Sequence, residues 1–351
     1  MISTVLDELR KFLRAAGAPD DDIARAEAEG WLPLLALDSR LTPGEQKYDV
    51  DGLARELGVD GLLVRRLWRS LGFPDVPDGL AVFSDEDLST ARRLLGQDGG
   101  QRLDLPAILR MVRVHSASMS RIAATEAESI AGLIHELRDA GASDDRIALE
   151  LAQGVPWDDI AALLDYSHRI QLRAALWRRL TFDAEPDIAV AVGFVDLSGY
   201  TELSSSLGAE ELSDLVGRWE EVAFDTAAAC GSRVVKTIGD EVMFVGLPMQ
   251  AAHTALRLRD AAARDPMLMS ARGGVAAGPV VVRDGDYYGP VVNLASRLTQ
   301  VAARGMILAP VPLCEDLQPG VVQCEPEGLR SLRGIGDVPT CRLEWASGHV
   351  P

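Results

Sequence analysis

The chain has 351 residues, 47% of them hydrophobic, and a formal net charge of -18. That length exceeds the roughly 100–200 residues of one domain, so two separately cored domains are expected. Both halves carry the acidic excess, which argues against a broad basic grip on nucleic acid or on an anionic membrane. No run approaches the roughly 20 apolar residues of a membrane span. The opening segment MISTVLDELRKFLRAAG interrupts its apolar residues with charge at helical period, unlike a signal peptide. The expected address is therefore the cytoplasm. Cys230, Cys314, Cys324 and Cys341 form neither a CxxC pair nor a His-containing metal spacing, and read as reduced structural thiols.

Residues 1–165 read as helices, with apolar residues three and four apart and Pro, Gly or Asp at the boundaries. LDELRKFLRAAG, AEAEGWLPLLALDSRL, VDGLARELGV, DGLLVRRLWRSLG, SDEDLSTARRLLG and the stretch from Pro106 to Ala140 are the clearest. Within them, segment 53–72 places Ala54, Gly58 and Val64 where a helix-turn-helix needs a small residue, a turn and a buried branched residue. Phe83 and SDEDL follow, as in MerR-like winged helices. The acidic surroundings favour a packing unit over a DNA reader, and Arg65, Arg66 and Arg69 read equally well as a solvated face. The loop at 96–101 is expected to be mobile. A basic helix at 166–180 and the acidic TFDAEPD complete a linker that ends at residue 187.

After Pro186 the pattern changes to short β-branched runs, IAVAVGFVDL, SRVVKTIG, EVMFVGL, ARGGVAAG and GPVVVRDG, interleaved with helical stretches. The order strand-helix-strand-strand-helix-strand predicts an α+β domain over 188–351. Asp196 ends the first strand and Asp240 sits in the turn of the hairpin VVKTIG-D-EVMF, so both carboxylates can reach one sheet edge. Hard divalent cations such as Mg²⁺ or Mn²⁺, bridging phosphate oxygens, want such ligands. Gly199, Tyr200 and Thr201 open a helical stretch whose backbone N–H groups can cradle phosphate. Asn293 and Arg297, four apart on a helix, can bind ribose and phosphate oxygens. Lys236 and Asp286 offer a donor and an acceptor suited to the N1 and N6 edge of adenine.

Three phrases, FVDLSGYT, VVKTIGDEVMF and GDYYGPVVNLASRLT, carry these residues, and in this order they resemble the catalytic domain of class III adenylate cyclases from Ile188 to Trp345. The resemblance implies a ferredoxin-like βαββαβ core with extra C-terminal strands, preceded by an all-α regulatory domain that is often inhibitory. It implies that Asp196 and Asp240 are metal ligands joined by the Leu197 carbonyl, with two Mg²⁺ or Mn²⁺ ions per site. By the same likeness Lys236 and Asp286 select ATP, Asn293 and Arg297 serve ribose and transition state, and Arg333 in LRGIGDVPTCRL approaches the phosphates, although Ile335 stands where some relatives have a second Lys. Sites shared across a homodimer follow from the family pattern, since one chain carries all six polar residues. His168 in the linker is a candidate proton sensor. The rival readings are a catalytically weak nucleotide-binding sensor and a transcription regulator using segment 53–72. A diguanylate cyclase is suggested only by Gly239, Asp240 and Glu241, without a GGDEF signature.

Overall fold

A computed structural model describes residues 2–42, 44–97, 104–182 and 190–347. Most of the loop expected at 96–101, the linker residues 183–187 and Ile188 lie outside the described residues. The chain divides into two compact units, Met1–Leu172 and Arg173–Pro351. No helix among the described residues is long and apolar enough to cross a membrane.

In the first unit, α1 (Ile2–Ala15), α2 (Asp20–Glu29) and α3 (Leu32–Leu41) pack with α8 (Asp144–Leu149) and a π-helical turn (Glu150–Gly154) around Leu9, Leu13, Ala26, Ala36 and Ala148. AEAEGWLPLLALDSRL, read as one helix, is two. Gly30 takes the left-handed conformation (φ 78°) and ends α2, and Pro33 sits in the first turn of α3, where its missing N–H costs nothing. A second core holds α4 (Val50–Leu57), α5 (Gly61–Ser70) and α6 (Asp85–Leu94) around Leu53, Ala54, Val64 and Phe83. Asp49, Asp60 and Ser84 cap these three helices, and Gly58 makes the turn at φ 63°. Two of the three arginines on α5 are already paired: Arg65 with Asp78 and the Val76 carbonyl, Arg69 with both carboxylate oxygens of Asp75. That leaves little of the cluster for phosphates. The long α7 spans Leu105–Asp139, and α9 spans Trp157–Phe182, so the linker helix expected at 166–180 continues a helix that begins nine residues earlier.

The second unit is built on a seven-stranded sheet of β1 (Val190–Leu197), β2 (Arg233–Ile238), β3 (Glu241–Gly246), β4 (Ala271–Gly278), β7 (Ile307–Pro310), β8 (Val322–Leu332) and β9 (Gly336–Trp345). Their order is β2-β3-β1-β4-β7-β9-β8, antiparallel except for β4 with β7. The short α10 (Tyr200–Ser204) and the longer α11 (Ala209–Ala229) follow β1, and α12 (Pro248–Arg264) follows β3. GPVVVRDG is not one long strand: β5 (Val281–Arg283) folds back as β6 (Asp286–Tyr288) through Asp284 and Gly285, both at positive φ. Then comes α13 (Pro290–Val301).

Both sheet faces are covered, which explains the nearly continuous apolar runs. Ala191, Val195, Val242, Phe244 and Val275 pack with Trp219 of α11 and Leu256 of α12. Val192, Phe194, Met243, Val245 and Ala276 face Val291 and Ala295 of α13. Alternation therefore assigns Asp196 to the α13 face, with Val192 and Phe194. α13 approaches β4 so closely that a Cβ on Gly274 would stand 2.4 Å from the Ala295 carbonyl oxygen and 2.6 Å from Leu298 Cβ.

The thiol reading is corrected. Cys314, on the 3-10 turn Val311–Asp316, is disulfide-bonded to Cys324 on β8, while Cys230 and Cys341 are free. A separation of ten residues carries no motif, and the pairing arises because β8 folds back past the turn.

Gly274→Ala should drive α13 off β4 and cost about 1–3 kcal/mol through overpacking. A lowered thermal midpoint is the expected result.

Candidate active site

Three groups of polar side chains share the α13 side of this sheet. The first is acidic. Asp196 stands opposite Arg272 in the β1–β4 register, and the guanidinium donates from Nε (2.8 Å) and Nη2 (3.2 Å) to its two carboxylate oxygens. Asp240 lies in the β2–β3 turn beyond Gly239 (φ 63°), and its carboxylate accepts the Leu197 N–H. The turn is pinned from behind, because the buried Trp219 donates its indole N–H to the Asp240 carbonyl at 2.7 Å. Thr237 donates to Glu220 at 2.6 Å, tying β2 to the same helix. Burial raises the Asp240 carboxyl above its ordinary range, and the charge of Asp196 adds to the effect. Glu241 is raised by burial and then by Asp196 and Asp240. Three carboxylates thus face one guanidinium, and hard oxygen donors with uncompensated negative charge suit a divalent cation.

The second group is the pair Lys236 and Asp286. A bulge between Val234 and Lys236 sets Lys236 opposite Met243, placing it on the sheet face that Met243 shares with α13. Its ammonium meets Asp286 Oδ2 at 2.5 Å. The β5–β6 hairpin that carries Asp286 is held to β2 by Arg233, which donates to the Tyr287 hydroxyl at 3.2 Å and lies 5.7 Å from that ring's centroid. Burial pushes the Asp286 carboxyl up, but hydrogen bonds from Lys236 and the Tyr287 N–H together hold it below the ordinary range. The third group is on α13, where Asn293 is exposed and Arg297 donates to Gln300 at 2.6 Å. Among the described residues neither side chain bonds the carboxylates or the Lys236–Asp286 pair.

The remaining sequence candidates are scattered. Gly199 (φ 92°) opens α10, which has five residues, so the helical stretch expected after Asp196 is a single turn before α11. Tyr200 packs partly on the core, Thr201 is exposed and accepts from Ser204 and Ser205 through its carbonyl, and the Leu197 side chain is buried. Arg333 is exposed in the β8–β9 turn.

Residues 182–344 match the adenylate and guanylate cyclase catalytic domain. An adenylate cyclase of Streptomyces coelicolor is 31% identical over 81% of this chain and 75% of the relative. The chain belongs to the class III adenylate cyclases. This cyclase is also similar to an adenylate cyclase of Glutamicibacter nicotianae (29% identical, over 90% of this chain and 83% of that one). It is 31% identical to a pH-sensitive adenylate cyclase of Mycobacterium tuberculosis, over 96% of this chain and 87% of that one, so the likeness reaches well into the helical half. Among solved structures, the adenylyl cyclase CyaB from P. aeruginosa is 25% identical over 46% of this chain and 97% of that one, with a TM-score of 0.40. Membership in the family carries a nucleotide substrate and a general dependence on divalent metal.

Sequence reasoning missed Arg272 and Trp219, and named Glu241 only in the diguanylate cyclase reading. A lone arginine among the small residues of ARGGVAAG was the available signal for the first, since a charge in a strand covered on both faces needs a partner.

Ionising carboxyls whose folded values are raised costs folding free energy. That cost is absent below the ordinary carboxylate range and complete above the raised values, at neutral pH. Asp240→Asn should therefore raise the thermal midpoint of the metal-free cyclase at neutral pH, the gain vanishing below about pH 4. Arg272→Met should do the opposite, removing on the order of 2 kcal/mol at neutral pH, because the Asp196 and Arg272 side chains are only 16% and 33% exposed. Added Mn²⁺ should recover most of that loss in a melt.

Proposed function

We propose that this cyclase converts ATP to 3',5'-cyclic AMP and pyrophosphate by attack of the ribose 3'-hydroxyl on the α-phosphorus, at two equivalent sites shared across a homodimer. The observation that carries the adenine preference is the Lys236–Asp286 pair, a donor and an acceptor already aligned in a part-buried setting. A purine whose edge fails to match would leave one of the two unpaired on binding. Asp196, Asp240 and the Leu197 carbonyl would hold two Mg²⁺ or Mn²⁺ ions. When bound, these supply Lewis acidity to the 3'-hydroxyl and offset the charge of the triphosphate. The chain's own part is positional. Arg272 keeps the Asp196 carboxylate in place, Trp219 fixes the Asp240 turn, and Asn293 orients the ribose. Arg297 answers charge developing on phosphorus. Gly199, Tyr200, Thr201 and Arg333 contribute phosphate contacts in this reading.

The shared site rests on the family pattern, in which the metal ligands come from one chain and Lys236, Asp286, Asn293 and Arg297 from the other. It predicts complementation. Asp240→Ala and Arg297→Ala chains should each be inactive alone, and an equal mixture should regain about one quarter of wild-type turnover, from mixed dimers with one intact site. No recovery on mixing would place each complete site within one chain. An assay with ATP and GTP should show ATP preferred, and Lys236→Glu with Asp286→Cys should erode that preference at least tenfold; an unchanged preference would remove the base-reading role.

The helical half acts as an autoinhibitory regulator in this reading, with no role in DNA binding. Its linker imidazole is not solitary, since the His168 ring lies 5.8 Å from that of His115, joining α9 to α7. A chain beginning at Ala184 should gain specific activity, and a full-chain pH profile left unchanged by His168→Ala would remove the proton-sensor role. Equal activity of the short and full chains would dismiss the regulatory role.

A further inference from the structure

Three sulfur atoms meet where the 3-10 turn after β7 lies against the β8–β9 hairpin. Cys314 stands on the turn, Cys324 on β8 and Cys341 on β9, and their Sγ atoms all lie within 4.8 Å of one another. Cys314 and Cys324 are joined, with Cα atoms 6.2 Å apart, inside the range a disulfide spans. Cys341 Sγ lies 2.8 Å from Cys314 Sγ and 3.5 Å from the Ala309 carbonyl oxygen. The sulfurs differ in access. Cys341 is 2% exposed and belongs to the core, whereas a cleft of about 400 Å³ is lined by Cys314, Cys324, Leu317, Pro319 and Gln323.

We propose that Cys314 and Cys324 form a thiol–disulfide modification site, opened and closed by low-molecular-weight disulfides and thiols that enter this cleft, with Cys341 kept as the resident thiol. Closing the site is a two-electron oxidation. One cysteine thiolate attacks the small disulfide and expels one thiolate. The second cysteine then attacks the mixed disulfide and expels the other, so two small thiols carry away the electrons and the two protons. Reduction runs the same steps backwards.

Cys341 touches Cys314 yet stays outside the exchange for an electrostatic reason. Burial pushes its thiol up to about 11, so at neutral pH it is protonated and a poor nucleophile. The consequence is mechanical. Closure ties the 3-10 turn to β8 across ten residues of sequence, and β8 runs on to the turn that carries Arg333. The oxidised and reduced chains thus differ in how firmly this end of the sheet is held.

The full chain is equilibrated at neutral pH with oxidised glutathione or with dithiothreitol, then denatured in iodoacetamide, digested and weighed. After oxidised glutathione, two of the four cysteines should escape alkylation in one Cys314–Cys324 cross-linked peptide, with Cys341 alkylated. After dithiothreitol all four should be alkylated. The oxidised form should melt roughly 5–10 °C above the reduced form. That gap should vanish in Cys314→Ser and in Cys324→Ser and persist in Cys341→Ala. Four alkylated cysteines after oxidised glutathione, or a cross-link to Cys230 or Cys341, would overturn the proposal. So would one zinc per chain in elemental analysis of the untreated protein, lost on Cys341→Ala, because the three sulfurs would then be a soft-metal site.

Discussion

The second unit depends on holding negative charge together at one end of a sheet. Asp196, Asp240 and Glu241 repel one another and are partly withdrawn from water, so the fold must pay for them without a bound cation. It does so with one guanidinium. Arg272 meets Asp196 across the β1–β4 ladder, where register alone brings the two together, and Arg272 also donates to the Ala302 carbonyl at 3.4 Å. The register is set by the apolar faces of β1 and β4, since a slip of one residue would turn Val192, Phe194 and Ala276 away from α13. The hydrophobic pattern of the sheet and the geometry of its acidic end are therefore one specification.

The Lys236–Asp286 pair obeys a similar logic. Lys236 would lie on the opposite face in a regular ladder, and the bulge after Val234 brings it round to Met243's side. The β5–β6 hairpin has no partner in the main sheet, so its placement falls to Arg233 and Tyr287. Local irregularity in β2 and one aromatic contact do the work that a regular strand could not.

Much of this was legible in the sequence because it is local. The Asp196 strand end, the Asp240 turn, the helix of Asn293 and Arg297 and the capped α4–α6 helices each announce themselves within a dozen residues. What was hidden is what only tertiary pairing creates. Arg272 lies 76 residues from Asp196 and Trp219 acts through the backbone of a turn 21 residues away. Cys314 and Cys324 are only ten residues apart, but that spacing carries no motif to announce their pairing. The single helix read over AEAEGWLPLLALDSRL failed for a different reason, since apolar periodicity continues through Gly30 although the backbone does not.

The close approach of α13 to β4 at Gly274 has a further meaning. Strand β4 carries Arg272 next to Gly273 and Gly274, so the partner of Asp196 and the seat of the helix bearing Asn293 and Arg297 are consecutive stretches of one rigid rod. At Gly274 no strand side chain separates β4 from the helix, so the two groups have little room to shift with respect to each other there. A signal that alters output cannot readily do so by stretching this part of the fold. It would have to move β4 and α13 together as one body.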